Sequence, residues 1–289
     1  MTADEKKLLI KRIGIFILLC FIPNYALEIG FSDHKGGLTS VAASQTLMLY
    51  PAIANILTRI ITKEGKGEHY LKANLKKHKA IYAGALIGPL IVGIINLLVT
   101  HCLFDSSADM GALLRENLDG NGIDMLIPVV ISTYFSAAVF IVMGFGEEFG
   151  WRAYLTPKLE KIMPRFAACA VTGVVWGLWH APMIWYGYDF GRDYPGFPYV
   201  GVLAMCAACI PLSYVLTWMT EKTKSIYPAA ICHMMIDTVM NLPLAAMTTQ
   251  TSYDEHSLMY GIIVLGGAPL VISIILIIKR SITKKAPSV

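Results

Sequence analysis

Apolar residues along this chain come in long blocks, and the polar residues are gathered into short segments between them. A block of about 20 apolar residues is long enough to cross the hydrocarbon core of a bilayer as a helix. Eight such blocks are predicted: Leu8–Gly30, Leu38–Ile61, Ala80–Phe104, Met125–Gly146, Phe166–Tyr186, Tyr199–Met219, Ile226–Met247 and Leu258–Ile278. The pattern predicts an all-α, polytopic membrane protein, with residues 1–289 forming a single transmembrane domain. No block repeats another at a fixed period, and no segment is low in complexity. The first block follows Lys6 and Lys7 but lacks a small-residue cleavage site and is too long for a signal-peptide core, so it is expected to stay in the mature protein.

Composition agrees with this map. Only 15% of the residues are charged and mean hydropathy is +0.57, whereas a soluble domain is nearer a quarter charged. The placement of charge adds an orientation. Of the 24 Lys and Arg residues, 21 fall in the N-terminal, C-terminal and intervening segments on one side of the eight spans. Lys35, Arg115 and Arg192 are the three on the other side. Basic residues collect on the cytoplasmic side, so both termini are expected there. The net charge of +4 is then topology and attraction to anionic membrane lipid, and implies no nucleic acid.

The connecting segments carry weaker signals. Lys63–Lys79 is basic and is expected to lie on the membrane surface as a helix. Lys158–Arg165, with Pro157 and Pro164 beside it, separates spans four and five. Asp105–Asp124 reads as an irregular acidic cap, and Gly187–Pro198, rich in Gly, Pro and aromatic residues, could shape an entrance. The six cysteines are Cys20, Cys102, Cys169, Cys206, Cys209 and Cys232. Cys206-x-x-Cys209 lies mid-helix with no second pair and is read as packing.

Candidate chemistry starts from two adjacent acids, Glu147 and Glu148, in Gly144-F-G-E-E-F-G-W-R-A-Y-Leu155. Acids at bilayer depth are costly unless compensated. Glu148 and Arg152 stand four apart with the acid first, the better orientation for a helical pair, so Arg152 is expected to neutralise Glu148. Glu147 points about 100° away and needs protonation, water or a partner on another helix. Span five holds His180. Span seven holds His233 and Asp237, four apart on one face, with Asn241 a turn further. Any one of these could be an interhelical hydrogen-bonding clamp, and a proton or ion pathway would use similar residues. The set on three helices points instead to a shared hydrated cavity. There Glu147 and His180 could hold and deprotonate a water, while His233 and its helix neighbour stabilise an oxyanion.

These motifs resemble those of the CPBP intramembrane proteases, which comprise type II CAAX prenyl endopeptidases and bacteriocin-processing or self-immunity proteins. The family pattern is Glu-Glu-x-x-x-Arg, Phe-x-x-x-His and His-x-x-x-Asn or Asp. Here it reads Glu147-Glu148-F-G-W-Arg152, Trp176-G-L-W-His180 and His233-M-M-I-Asp237. The resemblance covers roughly residues 125–247, taken as the protease core. It implies an eight-helix fold with an intramembrane site and hydrolysis of a peptide bond by a glutamate-activated water. By position Glu147 would be the general base, His180 would help hold the water and His233 would polarise the carbonyl. Glu148 and Asp237 complete the set, with Arg152 and Trp176 in support.

Two positions depart from the pattern. Trp176 replaces the frequent Phe and is expected only to reshape the cavity wall. Asp237 replaces the eukaryotic Asn; an ionised Asp accepts hydrogen bonds but cannot donate them, so it would orient His233 or ligate a metal. The aspartate form is similar to the prokaryotic branch and implies a prokaryotic cell membrane. Glu147, His180 and His233, or Asp237, could bind a divalent metal such as zinc. However, there is no H-E-x-x-H and no cysteine pair suited to zinc, and the preferred glutamate mechanism requires no cofactor. The expected substrate is a prenylated or otherwise membrane-associated peptide or protein. The alternatives are a non-catalytic bacteriocin-immunity or peptide-binding membrane protein, and a transporter.

Overall fold

The computed structural model describes residues 1–31, 46–65, 67, 69–104, 122–187, 189–246 and 267–285. Helix dominates, and no strand occurs among the described residues beyond an isolated bridge between Leu71 and Ser225. The helices are α1 (Ala3–Phe31), α2 (Tyr50–Ile61), α3 (Lys79–Phe104), α4 (Gly122–Val139) and α5 (Ile141–Gly150). A π-helical turn, Trp151–Leu155, joins α5 to α6 (Thr156–Leu159). Then follow α7 (Arg165–Trp179), α8 (Ala181–Trp185), α9 (Tyr199–Thr223), α10 (Tyr227–Ala246) and α11 (Ala268–Lys285). The predicted Asp105–Asp124 cap lies mostly outside the described residues, as do the first parts of predicted spans two and eight.

Among the described residues two helical segments, Ala3–Leu27 and Tyr199–Thr223, are long and apolar enough to cross a membrane. A third is added if the pair Val130–Val139 and Ile141–Leu159, bent by 55°, is taken as one span. Many large apolar side chains point outward, among them Leu18, Ile22, Ile60, Ile131, Phe135, Val142, Phe166 and Leu203. Outward apolar faces around buried charged side chains such as Glu147, Glu148 and Arg152 are what a lipid solvent selects. The chain is therefore an integral membrane protein.

Three expectations need correction. The block Met125–Gly146 is two helices meeting near Phe140 rather than one, the second of which carries both glutamates. Both halves are equally apolar, so hydropathy cannot see the bend. The block Phe166–Tyr186 breaks at His180 into α7 and α8. The described residues of Lys63–Lys79 form not a surface helix but irregular backbone with one 3-10 turn, Leu75–Lys77, before α3 begins at Lys79. Left-handed residues at Lys63, Tyr70 and Asn74 interrupt it, and a side chain in that region breaks helical continuation.

Small residues bring the motif-bearing helices close. A Cβ on Gly146 would lie 2.7 Å from the Met48 carbonyl oxygen, and one on Gly144 would lie 2.6 Å from Met234 Cγ. Helix α5 is thereby seated between the start of α2 and α10. Gly173 and Gly177, spaced four apart, do the same for α7 against α9, where a Cβ would come within 2.5 Å of Ile210 Cα and Cys206 Cα respectively. Backbone contact of this kind is how helices associate where lipid offers no hydrophobic drive. Cys206 and Cys209 sit in this seam as buried free thiols, as the packing reading expects.

Candidate active site

The α5 helix carries two i,i+4 pairs side by side. Glu148 accepts a hydrogen bond from Arg152 Nη1 at 2.8 Å, and both side chains are fully enclosed. This is the predicted neutralisation. One position earlier, Glu147 Oε2 accepts the indole N–H of Trp151 at 3.1 Å. The π turn begins at Trp151 and leaves both pairs intact; such turns recur at functional sites.

Helix α7 supplies the next element, and its C-terminal break follows from sequence. Pro182 has no N–H to offer the carbonyl of Leu178. The Tyr25 hydroxyl on α1 donates to that carbonyl instead, at 2.8 Å, and Asn24 Nδ2 donates to Trp179 O at 2.7 Å. The His180 N–H turns back to Gly177 O. The Trp176 carbonyl then receives the His180 ring, Nδ1 to O at 2.9 Å. With Nδ1 occupied in this way, Nε2 is the ring nitrogen left to serve a ligand.

Helix α10 completes the arrangement. His233 Nδ1 donates to Glu148 Oε1 at 2.9 Å, so one carboxylate oxygen holds both Arg152 and His233. His233 Nε2 lies 3.6 Å from Asp237 Oδ2, beyond hydrogen-bond length. The orienting role expected of Asp237 thus falls to Glu148. Asp237 keeps 39% of its side chain accessible, while Glu147, Glu148 and His233 are all buried.

Trp176 ties these parts together. Its indole N–H donates to Glu147 Oε2 at 2.6 Å. Its ring lies 5.1 Å from that of His233, edge to face, and 6.0 Å from that of His180. The Arg152 guanidinium sits 4.4 Å above it. The expectation that Trp176 only reshapes a wall is corrected, because it is the residue that touches all three motifs. Packing could be foreseen from its size; the bond to Glu147 could not, since the donor and acceptor are 29 residues apart. Trp151, by contrast, stands four residues after Glu147 and could have been found by the same spacing that paired Glu148 with Arg152.

No group of three or more His, Cys, Asp and Glu side chains among the described residues is spaced to hold an ion.

A second polar cluster braces the far end of the glutamate-bearing helix. Glu64, in the loop after α2, pairs with Lys158 and receives the Tyr154 hydroxyl at 3.1 Å. Arg12 and Arg59 approach it at 3.7 and 4.0 Å. Burial pushes the Glu64 carboxyl up, but Lys158 and Arg59 outweigh it and hold the group below its ordinary 4.5. Arg59 Nε bonds Asn55 Oδ1 at 2.7 Å, and Asn55 Nδ2 bonds the Phe149 carbonyl at 2.8 Å. The chain of contacts runs from the loop to the residue after Glu148.

Residues 129–239 match the family described as Type II CAAX prenyl endopeptidase Rce1-like. CAAX prenyl protease 2 of Methanococcus maripaludis is 30% identical over 132 residues, which are 45% of this chain and 48% of that protein. The chain spans about half the length of this curated relative.

Proposed function

We propose, from the match of residues 129–239 to the type II CAAX prenyl endopeptidase Rce1-like family, that this chain is an intramembrane endopeptidase. In this reading it crosses the membrane eight times with both termini cytoplasmic. Its substrate is a prenylated or otherwise membrane-associated peptide or protein. The observation that carries the proposal is Trp176, whose indole, carbonyl and ring face meet Glu147, His180 and His233 respectively. Three costly polar side chains from three helices thus share one aromatic hub, which lipid-facing or unrelated positions would not produce.

The proposed reaction uses these residues alone. A water hydrogen-bonded by His180 Nε2 loses a proton to the Glu147 carboxylate as its oxygen attacks the peptide carbonyl carbon. His233, held through Nδ1 by Glu148, donates from a protonated Nε2 to the developing oxyanion. Glu147 returns the proton to the leaving nitrogen as the C–N bond breaks. Arg152 pairs with Glu148 in a buried setting, and breaking such a pair typically costs about 3–5 kcal/mol.

Substitution of Glu147 by Gln keeps an acceptor for both indoles but removes the base. Purified Glu147→Gln protein is expected to lose cleavage of a prenyl-cysteine peptide by at least about 10³-fold while keeping its helical content. Cleavage by neither protein would replace the protease by a peptide-binding or immunity function, and equal cleavage by both would remove Glu147 as the base. The eight-span topology is checked by thiol labelling of single cysteines added at each end of the chain in intact cells. Both ends should be protected until the membrane is opened.

A further inference from the structure

We infer that Trp151 is a second positioning residue for the proposed base: together with Trp176 it pins Glu147 by one carboxylate oxygen, Oε2, and leaves proton abstraction to the other, Oε1. The inference rests on the peptidase reading above and deepens it at the same site.

Trp151 stands at a variable position of the first motif, where the π turn begins. Its backbone N–H still reaches the Glu147 carbonyl, so the α-helical spacing that stacks side chains four apart persists up to this residue. The helix widens only beyond it. The indole therefore lies over Glu147, and Nε1 donates to Oε2 at 3.1 Å. Trp176 Nε1 donates to the same oxygen at 2.6 Å. One donor comes from the glutamate's own segment and the other from α7.

The Trp151 indole is not free to turn away. Its ring is fully buried and meets Phe16 of α1 edge to face at 5.8 Å, and Trp179 of α7 at 6.2 Å with the planes 74° apart. Trp179 in turn meets His180 edge to face at 5.2 Å. Ring contacts thus run from the indole on Glu147 to the imidazole proposed to hold the water. Burial alone does not account for the Trp151 bond. Trp179 is equally buried, yet its Nε1 has no hydrogen-bond partner among the described residues.

Each oxygen of an ionised carboxylate offers two lone-pair directions. Two indole donors fill those of Oε2. The proton of the attacking water then goes to Oε1, and a carboxylate held at one oxygen presents the other in a fixed direction. Misplacing a reacting group by about 1 Å can cost on the order of 100-fold in rate. Trp151 acts in this way without touching the substrate.

The test uses full-length protein in detergent with a prenyl-cysteine peptide, and reads kcat and KM separately. Trp151→Phe keeps a buried ring and removes the N–H. It should lower kcat by about ten- to a hundredfold with KM within about twofold of wild type. Phenylalanine also leaves space, so a second variant carries benzothienylalanine at position 151, the tryptophan isostere with sulfur in place of N–H. It should lose a similar share of kcat while melting close to wild type. The double variant Trp151→Phe with Trp176→Phe should lose less than the product of the two single losses, because both indoles hold one oxygen. A wild-type kcat in the isostere variant overturns the inference, and so does a double loss equal to that product. Failure of the wild-type protein to cleave removes the peptidase reading and this inference with it, whereas cleavage indifferent to the isostere removes the inference alone.

Discussion

Trp176 occupies a position where phenylalanine would fill the same space but could donate nothing to Glu147. The indole N–H to carboxylate bond at 2.6 Å belongs to the charge-assisted class, worth roughly 1.5–3 kcal/mol. If it aims the proposed base, Trp176→Phe should lower kcat by about ten- to a hundredfold with little change in KM. A kcat equal to wild type would reduce the residue to packing. The Glu148–Arg152 pair was legible in the sequence because a helix places positions four apart together. The same rule applies to Glu147 and Trp151, yet a search for charges passes over an indole. His233 and Asp237 also share a face as expected, but Glu148, 85 residues away, makes the shorter bond to the imidazole. Spacing gives local pairs; it does not rank them against partners from other helices.

At the level of helices, hydropathy marks apolar blocks but not where they bend. The 55° turn near Phe140 and the break at His180 both fall inside blocks that read as continuous. The second was foreseeable from Pro182, whose missing N–H ends the hydrogen-bond ladder of α7. The Lys63–Lys79 loop failed for a different reason: its basic residues satisfy a membrane-surface pattern, but left-handed positions at Lys63, Tyr70 and Asn74 stop a helix. The α7–α9 seam makes a direct claim about packing. In Gly177→Ala the new methyl would sit 2.5 Å from Cys206 Cα, in a backbone that cannot yield cheaply. A loss of about 1–3 kcal/mol in detergent unfolding is expected. A neutral result would mean that the two helices are free to part, and that the position of His180 does not depend on their seam.

Across the whole molecule, the Glu64 cluster joins α1, α2 and the end of the glutamate-bearing segment. The Glu64 carboxyl is held below 4.5 in the folded chain. Its contribution is therefore complete above about 4.5 and is lost as pH falls through the folded value. Thermal melts from pH 7 to 3.5 should show wild type losing on the order of 1 kcal/mol more on acidification than Glu64→Gln. Parallel curves would mean the cluster bears no stability. The contacts from α1 carry a different consequence. The segment shared with known proteases, residues 129–239, contains all three motifs, yet the peptide groups that end α7 are satisfied by Asn24 and Tyr25, more than 100 residues upstream. Cut away from the amino-terminal helix, that segment would lose the amide held on the Trp179 carbonyl and the hydroxyl held on the Leu178 carbonyl, next to its proposed water-holding imidazole. What sequence comparison recognises is therefore not a self-sufficient piece: the splint for its broken helix is encoded in α1.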